Sequence, residues 1–361
     1  MSAQSPTKFD QIKTVDPKAT KATKALYANL KKLSKDHILF GQQDALAYGV
    51  HWREWHEWRS DVQDVCGKSP AVYGWDMSKL GRYEYNIDTV NFEQIQGWMK
   101  GVFRGGGINT VSWHFDNFVN GKTSWDTGEN VVAAILPGGE FHEAYKAKLD
   151  LFADFVRGLR VGLVFRRDIP IIFRPFHEHT GNWFWWGKKH CSTEEYIALW
   201  RFTVEYLRDE KGMHNLLYAY SPDIFKNKKE YLARYPGDDY VDILGFDDYH
   251  DVGKGGKTKN LIKRLRMLVE MAQEKDKVAA LTETGFETIP NKTWWTEKLL
   301  NPIKNDPVAS QIAWMLVWRN ARPSHHYGPH PGHPSAPNFV EFSQDSTVLF
   351  REELPKIYRL D

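Results

Sequence analysis

Two glutamates stand out for the residues around them. Glu178 lies in FRPFHEHTGNWFWWG (173–187), where one arginine and two histidines are crowded by phenylalanine and tryptophan. Burying a carboxylate is costly unless it is paired, hydrogen-bonded or protonated. The plain reading is a structural glutamate satisfied by Arg174 or His177. The chemical reading is an acid whose pKa is raised so that it can donate a proton at neutral pH. Glu283, in LTETG (281–285), sits between Thr282 and Thr284, with Tyr249 able to donate a hydrogen bond, a setting that favours the ionised form. One protonated and one ionised carboxyl suit cleavage of a glycosidic bond. The first protonates the leaving oxygen while the second attacks the anomeric carbon or activates water. A separation of ~5–5.5 Å predicts retention of configuration and ~6.5–9.5 Å predicts inversion. Glu178 is read as acid/base and Glu283 as nucleophile, with Arg174 and His177 orienting them as supporting groups do.

The elements that must position these two carboxyls recur along the chain as an apolar run, a polar or aromatic exit and an amphipathic stretch. The runs are HILFGQQ (37–43), PAVYGWDMS (70–78), INTVSWHFDN (108–117) and IPIIFRPFHEH (169–179) in the first half. NLLYAYSPD (215–223), VDILGFDDYH (241–250), KVAALTETGF (277–286) and IAWMLVWRNA (312–321) follow. Consecutive apolar residues, many β-branched, are expected of parallel strands covered on both faces. Between them, residues 141–159 place Phe141, Tyr145, Leu149, Phe152 and Phe155 at helical spacing. Residues 192–207 open with Ser192 and Glu195 in capping-box spacing, and 261–273 is a further helix. Eight strands alternating with helices predict an α/β chain folded as one (β/α)8 TIM barrel over residues 1–361, with 1–36 a helical extension packed on its outside. In such a barrel function gathers at the C-terminal ends of the strands. His114, Glu178, Tyr249, Glu283, Trp318 and Arg319 all fall there.

Bulk properties narrow the substrate. With 42% apolar and 26% charged residues the chain is globular, and a formal charge of +2 gives no footprint for nucleic acid. No apolar run approaches the ~20 residues that span a bilayer. Most of the 15 Trp, 16 Tyr and 20 Phe are expected in ordinary core packing, and those clustered at strand ends are the ones suited to gripping a flat, partly polar partner. Cys66 and Cys191 are the only cysteines. They are either one bridge or two thiols.

Two loops attract attention. HHYGPHPGH (325–333) holds four histidines, but its spacing matches no helical or zinc-finger arrangement. With its glycines and prolines it is read as a cleft wall, and no metal is expected. The long segment 117–140 after the third strand is expected to be functional. It either leaves the cleft open at both ends, for cutting within a polymer, or closes one end, so that short units such as disaccharides leave from a chain end; the second reading is favoured.

RPFHE followed by GNWFWWG, LTETG and VWRNA (317–321) resemble glycoside hydrolase family 26, mainly β-mannanases. The likeness runs from HILFGQQDALAYG (37–49) to GHPSAPNFVEF (332–342). The resemblance implies a (β/α)8 barrel that cleaves β-1,4-mannosidic bonds in mannan, glucomannan or galactomannan with retention and without a cofactor. It implies Glu178 as acid/base and Glu283 as nucleophile. Sugar contacts are implied from His177, Trp183 and Tyr249, stacking from Trp318, and binding of the flanking sugar from Arg319 and His114. His179 and Thr180 depart from the pattern of many members, so contacts around the scissile bond are expected to differ. The other readings are the same mechanism on xylan or mixed-linkage glucan, and a non-catalytic carbohydrate-binding barrel, which would need no acid–nucleophile pair. A polymeric substrate places the chain outside the cytoplasm, secreted or periplasmic, and a monomer is expected.

Overall fold

The computed structural model describes residues 8–53, 58–128, 130–162 and 166–360. Its centre is a closed barrel of eight parallel strands: β1 Ile38–Gln43, β2 Val72–Asp76, β3 Ile108–Ser112, β4 Ile171–Arg174, β5 Leu216–Tyr220, β6 Ile243–Asp248, β7 Val278–Thr284 and β8 Trp314–Val317. Closure is made by β8 against β1, Leu39 beside Trp314 and Gln42 beside Val317. A two-residue strand, β9 Val348–Leu349, adds to the outer side of β1. Arg160–Val161 and Arg167–Asp168 form a separate antiparallel pair that the sequence patterning did not indicate. All eight barrel strands lie within the expected apolar runs.

The helices are α1 Lys21–Leu33, α2 Asp61–Cys66, α3 Phe92–Arg104, α4 Val131–Ile135, α5 His142–Arg157, α6 Thr193–Glu205, α7 Lys228–Leu232, α8 Thr258–Glu274, α9 Asn301–Lys304 and α10 Ala336–Gln344. The capping box at Ser192 and Glu195 is formed: the serine accepts from Glu195 N–H while the glutamate accepts from Ser192 N–H.

Because side chains alternate along a strand, each barrel strand feeds two apolar layers. Phe40, Tyr73, Val111, Phe173, Tyr218, Leu244 and Met315 pack outward with helical residues such as Ile95, Phe152 and Leu265. Leu39, Val72, Ile108, Ile172, Leu217, Ile243, Val278 and Trp314 fill the interior. Leu26, Tyr27 and Leu30 of α1 join that inner layer together with Ile357. Tyr27 donates to Asp276 O at 2.7 Å and Thr20 N–H to His214 O at 2.8 Å, both just ahead of a strand. The N-terminal helix therefore stoppers the end of the barrel where the strands begin. The opposite end is left for the polar exits.

Candidate active site

At the C-terminal end of the strands one arginine holds two carboxyls, with a third close by. Arg174, the last residue of β4, donates through Nη1 to Asp247 Oδ2 at 2.9 Å and to Ser221 Oγ at 3.0 Å, and through Nη2 to Glu283 Oε1. Asp247 is further held by Thr282 Oγ1 at 2.7 Å and by Ser221 Oγ at 3.1 Å. Tyr249 donates to Glu283 Oε2 at 2.8 Å. Carboxylate oxygens of Glu178, Asp247 and Glu283 lie within 4.8 Å of one another. The two glutamates thus meet across the mouth as the patterning of β4 and β7 requires.

Backbone irregularities aim both of them. Along β7 the register runs Phe246 to Leu281 and then Asp247 to Glu283, while on the other side Met315 pairs with Leu281 and Val317 with Thr284. One extra residue is inserted at 282–283. The bulge breaks the strict alternation, so that Thr282 reaches Asp247 and Glu283 reaches Arg174 on the same side. After β4, Phe176 and Glu178 adopt φ of 49° and 53°, a left-handed conformation unusual for such side chains. Glu178 N–H is tied to Ser221 O at 2.8 Å, which fixes this turn to β5.

Among the described residues Glu178 has no cation contact. Its Oε2 accepts a hydrogen bond from the Trp183 indole at 2.6 Å. Burial raises its pKa well above the usual carboxylate range, and the charges of Asp247 and Glu283 add to the rise. Burial and then Glu283 also push Asp247 up, to about 8, against the pull of Arg174. Three carboxyls around one guanidinium favour retention of a proton within the cluster. Asp247 is already saturated by donors from Arg174, Ser221 and Thr282, and Glu283 by Arg174 and Tyr249. The proton belongs on Glu178.

The aromatic run beside Glu178 divides into one exposed ring and a buried scaffold. Trp183 is 40% exposed and touches the carboxylate, whereas Phe184, Trp185 and Trp186 are buried. The Trp185 indole donates to Phe115 O at 3.0 Å, that of Trp186 to His177 O at 2.8 Å, and Phe184 stacks on Trp186 at 4.5 Å. The charge of neighbouring carboxylates, which the sequence reading had not included, shares in raising Glu178.

The remaining candidates line the same mouth. His114 pairs with Asp76 at 2.7 Å, and although burial favours its neutral form, the Asp76 carboxylate wins and raises its pKa. Its ring stacks on Trp125 at 5.2 Å and meets His177 edge-on at 4.7 Å. His177 is buried, with no hydrogen-bond partner for Nδ1. Burial and then Arg174 hold it well below the usual imidazole range, so it is neutral. Its expected part in orienting the carboxylates falls to Arg174 together with Tyr249. Trp318 is half-buried, its ring 6.4 Å from that of His114. Arg319 pairs with Asp88 at 2.9 Å and donates to Tyr48 at 3.3 Å.

Several members of the site escaped the sequence reading. Asp247 and Ser221 sit at strand ends where polar residues were visible but unassigned, and Trp125 lies in the segment 117–140. His179, expected to alter contacts at the scissile bond, instead packs between Tyr196 and Tyr220 at ring distances of 4.4 and 4.8 Å, buried behind the mouth. Cys66 and Cys191 are both free thiols. His325 leaves the other histidines of its loop to pair with Glu287 at 2.6 Å, while ring nitrogens of His326, His330 and His333 converge within 4.8 Å.

Comparison with known proteins agrees with this fold. Residues 15–312 match the model of glycosyl hydrolase family 26. A mannan endo-1,4-β-mannosidase of Bifidobacterium adolescentis is 36% identical over 290 residues, 76% of this chain and 28% of that protein. Mannan endo-1,4-β-mannosidase A and B of Caldalkalibacillus mannanilyticus is 28% identical over 259 residues, 65% of this chain and 46% of its own length. The chain thus spans less than half of these two relatives. Among solved structures, a β-mannanase of Bacteroides ovatus superposes with a TM-score of 0.89 at 42% identity, covering 95% of this chain and 98% of that one. A family 26 protein of Muricauda sp. gives 0.90 at 36% identity, covering 99% and 100%. With the barrel and its paired glutamates in place, the match over residues 15–312 makes this chain a member of glycosyl hydrolase family 26.

Proposed function

We propose that the chain hydrolyses β-1,4-mannosidic bonds in mannan, glucomannan or galactomannan with retention of configuration, using Glu178 as general acid/base and Glu283 as nucleophile. The observation that carries this reading is the shared guanidinium. Asp247 and Glu283 hold Arg174, whereas Glu178, within 4.8 Å of both, holds only an indole N–H. So short a gap leaves room for direct attack on the anomeric carbon rather than for an intervening water.

In the first step a Glu283 oxygen bonds to the anomeric carbon as the bond from that carbon to the glycosidic oxygen breaks, and Glu178 gives its proton to the glycosidic oxygen, which leaves as a hydroxyl of the departing sugar. In the second, Glu178 takes a proton from a water whose oxygen displaces Glu283, restoring both groups. Arg174 and Tyr249 hold Glu283 in place before attack and receive it again as a carboxylate. Trp318 and Trp183 offer faces for the apolar side of a mannose ring, and His114 and Arg319 offer donors to its hydroxyls. The relatives named as mannan endo-1,4-β-mannosidases support mannan as substrate and cutting within the polymer.

Proton NMR of the first products from a manno-oligosaccharide tests the mechanism. The β-anomer should appear first, and initial release of the α-anomer would overturn retention. Glu283→Ala should abolish turnover while leaving the unfolding transition in place; near-normal activity would end the assignment. Assay against mannan, xylan and cellulose should show mannan preferred, with a ladder of oligosaccharides at early times. Mannobiose alone from the outset would favour release from chain ends.

A further inference from the structure

We propose that His326, His330 and His333 form a site for one divalent transition metal, with zinc as the natural fit, and that the metal pins the segment after β8 against the wall of the cleft. The proposal does not depend on the assignment of Glu178 and Glu283.

One ring nitrogen of each histidine lies within 4.8 Å of the others. The rings face one another edge to face or tilted, with centroids 4.8 Å apart for His326 and His330, 5.2 Å for His326 and His333, and 4.9 Å for His330 and His333. A second observation points into the same space. His326 is 3% exposed, and its Nε2 is buried without a hydrogen-bond partner. Such an unmet buried nitrogen calls for an occupant.

Outer contacts fit ligation. The Nδ1 atoms of His326 and His330 face the carbonyls of Pro323 at 3.0 Å and Pro331 at 3.1 Å. A proton held there leaves Nε2 as the lone-pair nitrogen, the pattern seen around metal-bound imidazoles. His333 Nδ1 lies 2.8 Å from Ser335 Oγ, which is 3.2 Å from the Trp295 indole nitrogen. Ligation through Nε2 would move the His333 proton to Nδ1, donated to Ser335 Oγ, in place of the bond now accepted from Ser335 N–H at 3.2 Å and of the ring's hydrogen bond to the Thr288 carbonyl. Three neutral imidazoles with a water completing the set match zinc, and a set without thiolate or carboxylate disfavours magnesium or calcium.

Tyr327, next to His326, explains what such a site would do. Its ring packs on Tyr249 at 5.6 Å, and Tyr249 donates to Glu283. Gly285, at φ 147°, has no room for a side chain, since a Cβ there would come within 2.7 Å of Tyr327. Thr288 N–H ties to His326 O at 2.8 Å. A metal on the three imidazoles would thus fix the tyrosine that backs the nucleophile's partner.

The test uses untagged protein dialysed against a chelator and then titrated with zinc or cobalt(II) alone. One equivalent should bind, raise Tm by several degrees and give the cobalt absorption of a low-coordinate nitrogen site. His330→Ala and His333→Ala should each weaken binding at least about tenfold and erase that absorption, while Asp247→Asn leaves both intact. X-ray absorption at the zinc edge of the wild type should show a shell dominated by imidazoles, which keeps the test decisive if a variant fails to fold. No binding at one equivalent, absorption indifferent to both histidine changes, an oxygen-only shell, or loss through Asp247→Asn would each overturn the proposal.

Discussion

Asp247 takes no bond-making part in the proposed reaction, yet it sets the conditions for it. Its charge lies second only to burial among the causes that raise Glu178. Asp247→Asn should therefore lower the pKa of Glu178, and because the acid must be protonated, the alkaline limb of kcat/KM should move to lower pH. A fall in kcat of about tenfold is expected as Arg174 loses one of its partners. An unmoved limb in the pH–rate profile would contradict this coupling. Glu178 itself should carry a cost in stability. With its folded pKa above the unfolded value of about 4.3, the folded state binds more protons, so stability falls as pH rises from that value towards the folded pKa. Glu178→Gln removes the titration. Its Tm should exceed the wild type by a few degrees at pH 7 and by little at pH 4, as thermal unfolding at the two pH values would show.

At the scale of elements, irregular backbone does the aiming. A regular β7 would send Thr282 and Glu283 to opposite faces, and the bulge brings both to Asp247 and Arg174. In the segment 117–140 one ring stands out. Trp125 is 47% exposed, stacks on His114, and lines a groove of about 610 Å³ with Arg82, Tyr83 and Asp116. An indole this exposed adds little to the core, so its value lies in what it grips. Trp125→Ala should raise KM for mannan roughly fivefold or more, with kcat and Tm little changed. Steady-state kinetics beside a melting curve would check this, and a matching loss of Tm would point to a packing role instead.

For the whole molecule, the two ends of the barrel divide the labour. Arg174, Asp247 and the glutamates occupy one end, and α1 stoppers the other through Leu26, Tyr27 and Leu30. Leu30 is fully buried. Leu30→Ala should cost about 2–5 kcal/mol of stability, the range for a leucine truncated in a core. Its distance from the chemistry predicts a kcat within about twofold of wild type at temperatures where the variant is folded. Denaturant unfolding and kinetics on the same preparation would separate the two effects.

The sequence by itself determined the barrel and the place of two glutamates at its strand ends. Eight apolar runs closed by polar exits specify strands buried on both faces, and Glu178 and Glu283 lie at two of those exits in unlike surroundings. These are local signals, carried by residues close together in the chain. Only the tertiary structure decided the partnerships that join distant segments: Arg174 with Asp247 and Glu283, His114 with Asp76, Arg319 with Asp88, and α1 with the interior of the barrel. It also turned His179 away from the mouth and drew His326, His330 and His333 together, although their spacing fits no helix. A proline- and glycine-rich segment has no periodicity from which to read the direction of a side chain, and a pKa raised by a neighbour's charge depends on distances that close only when the barrel does.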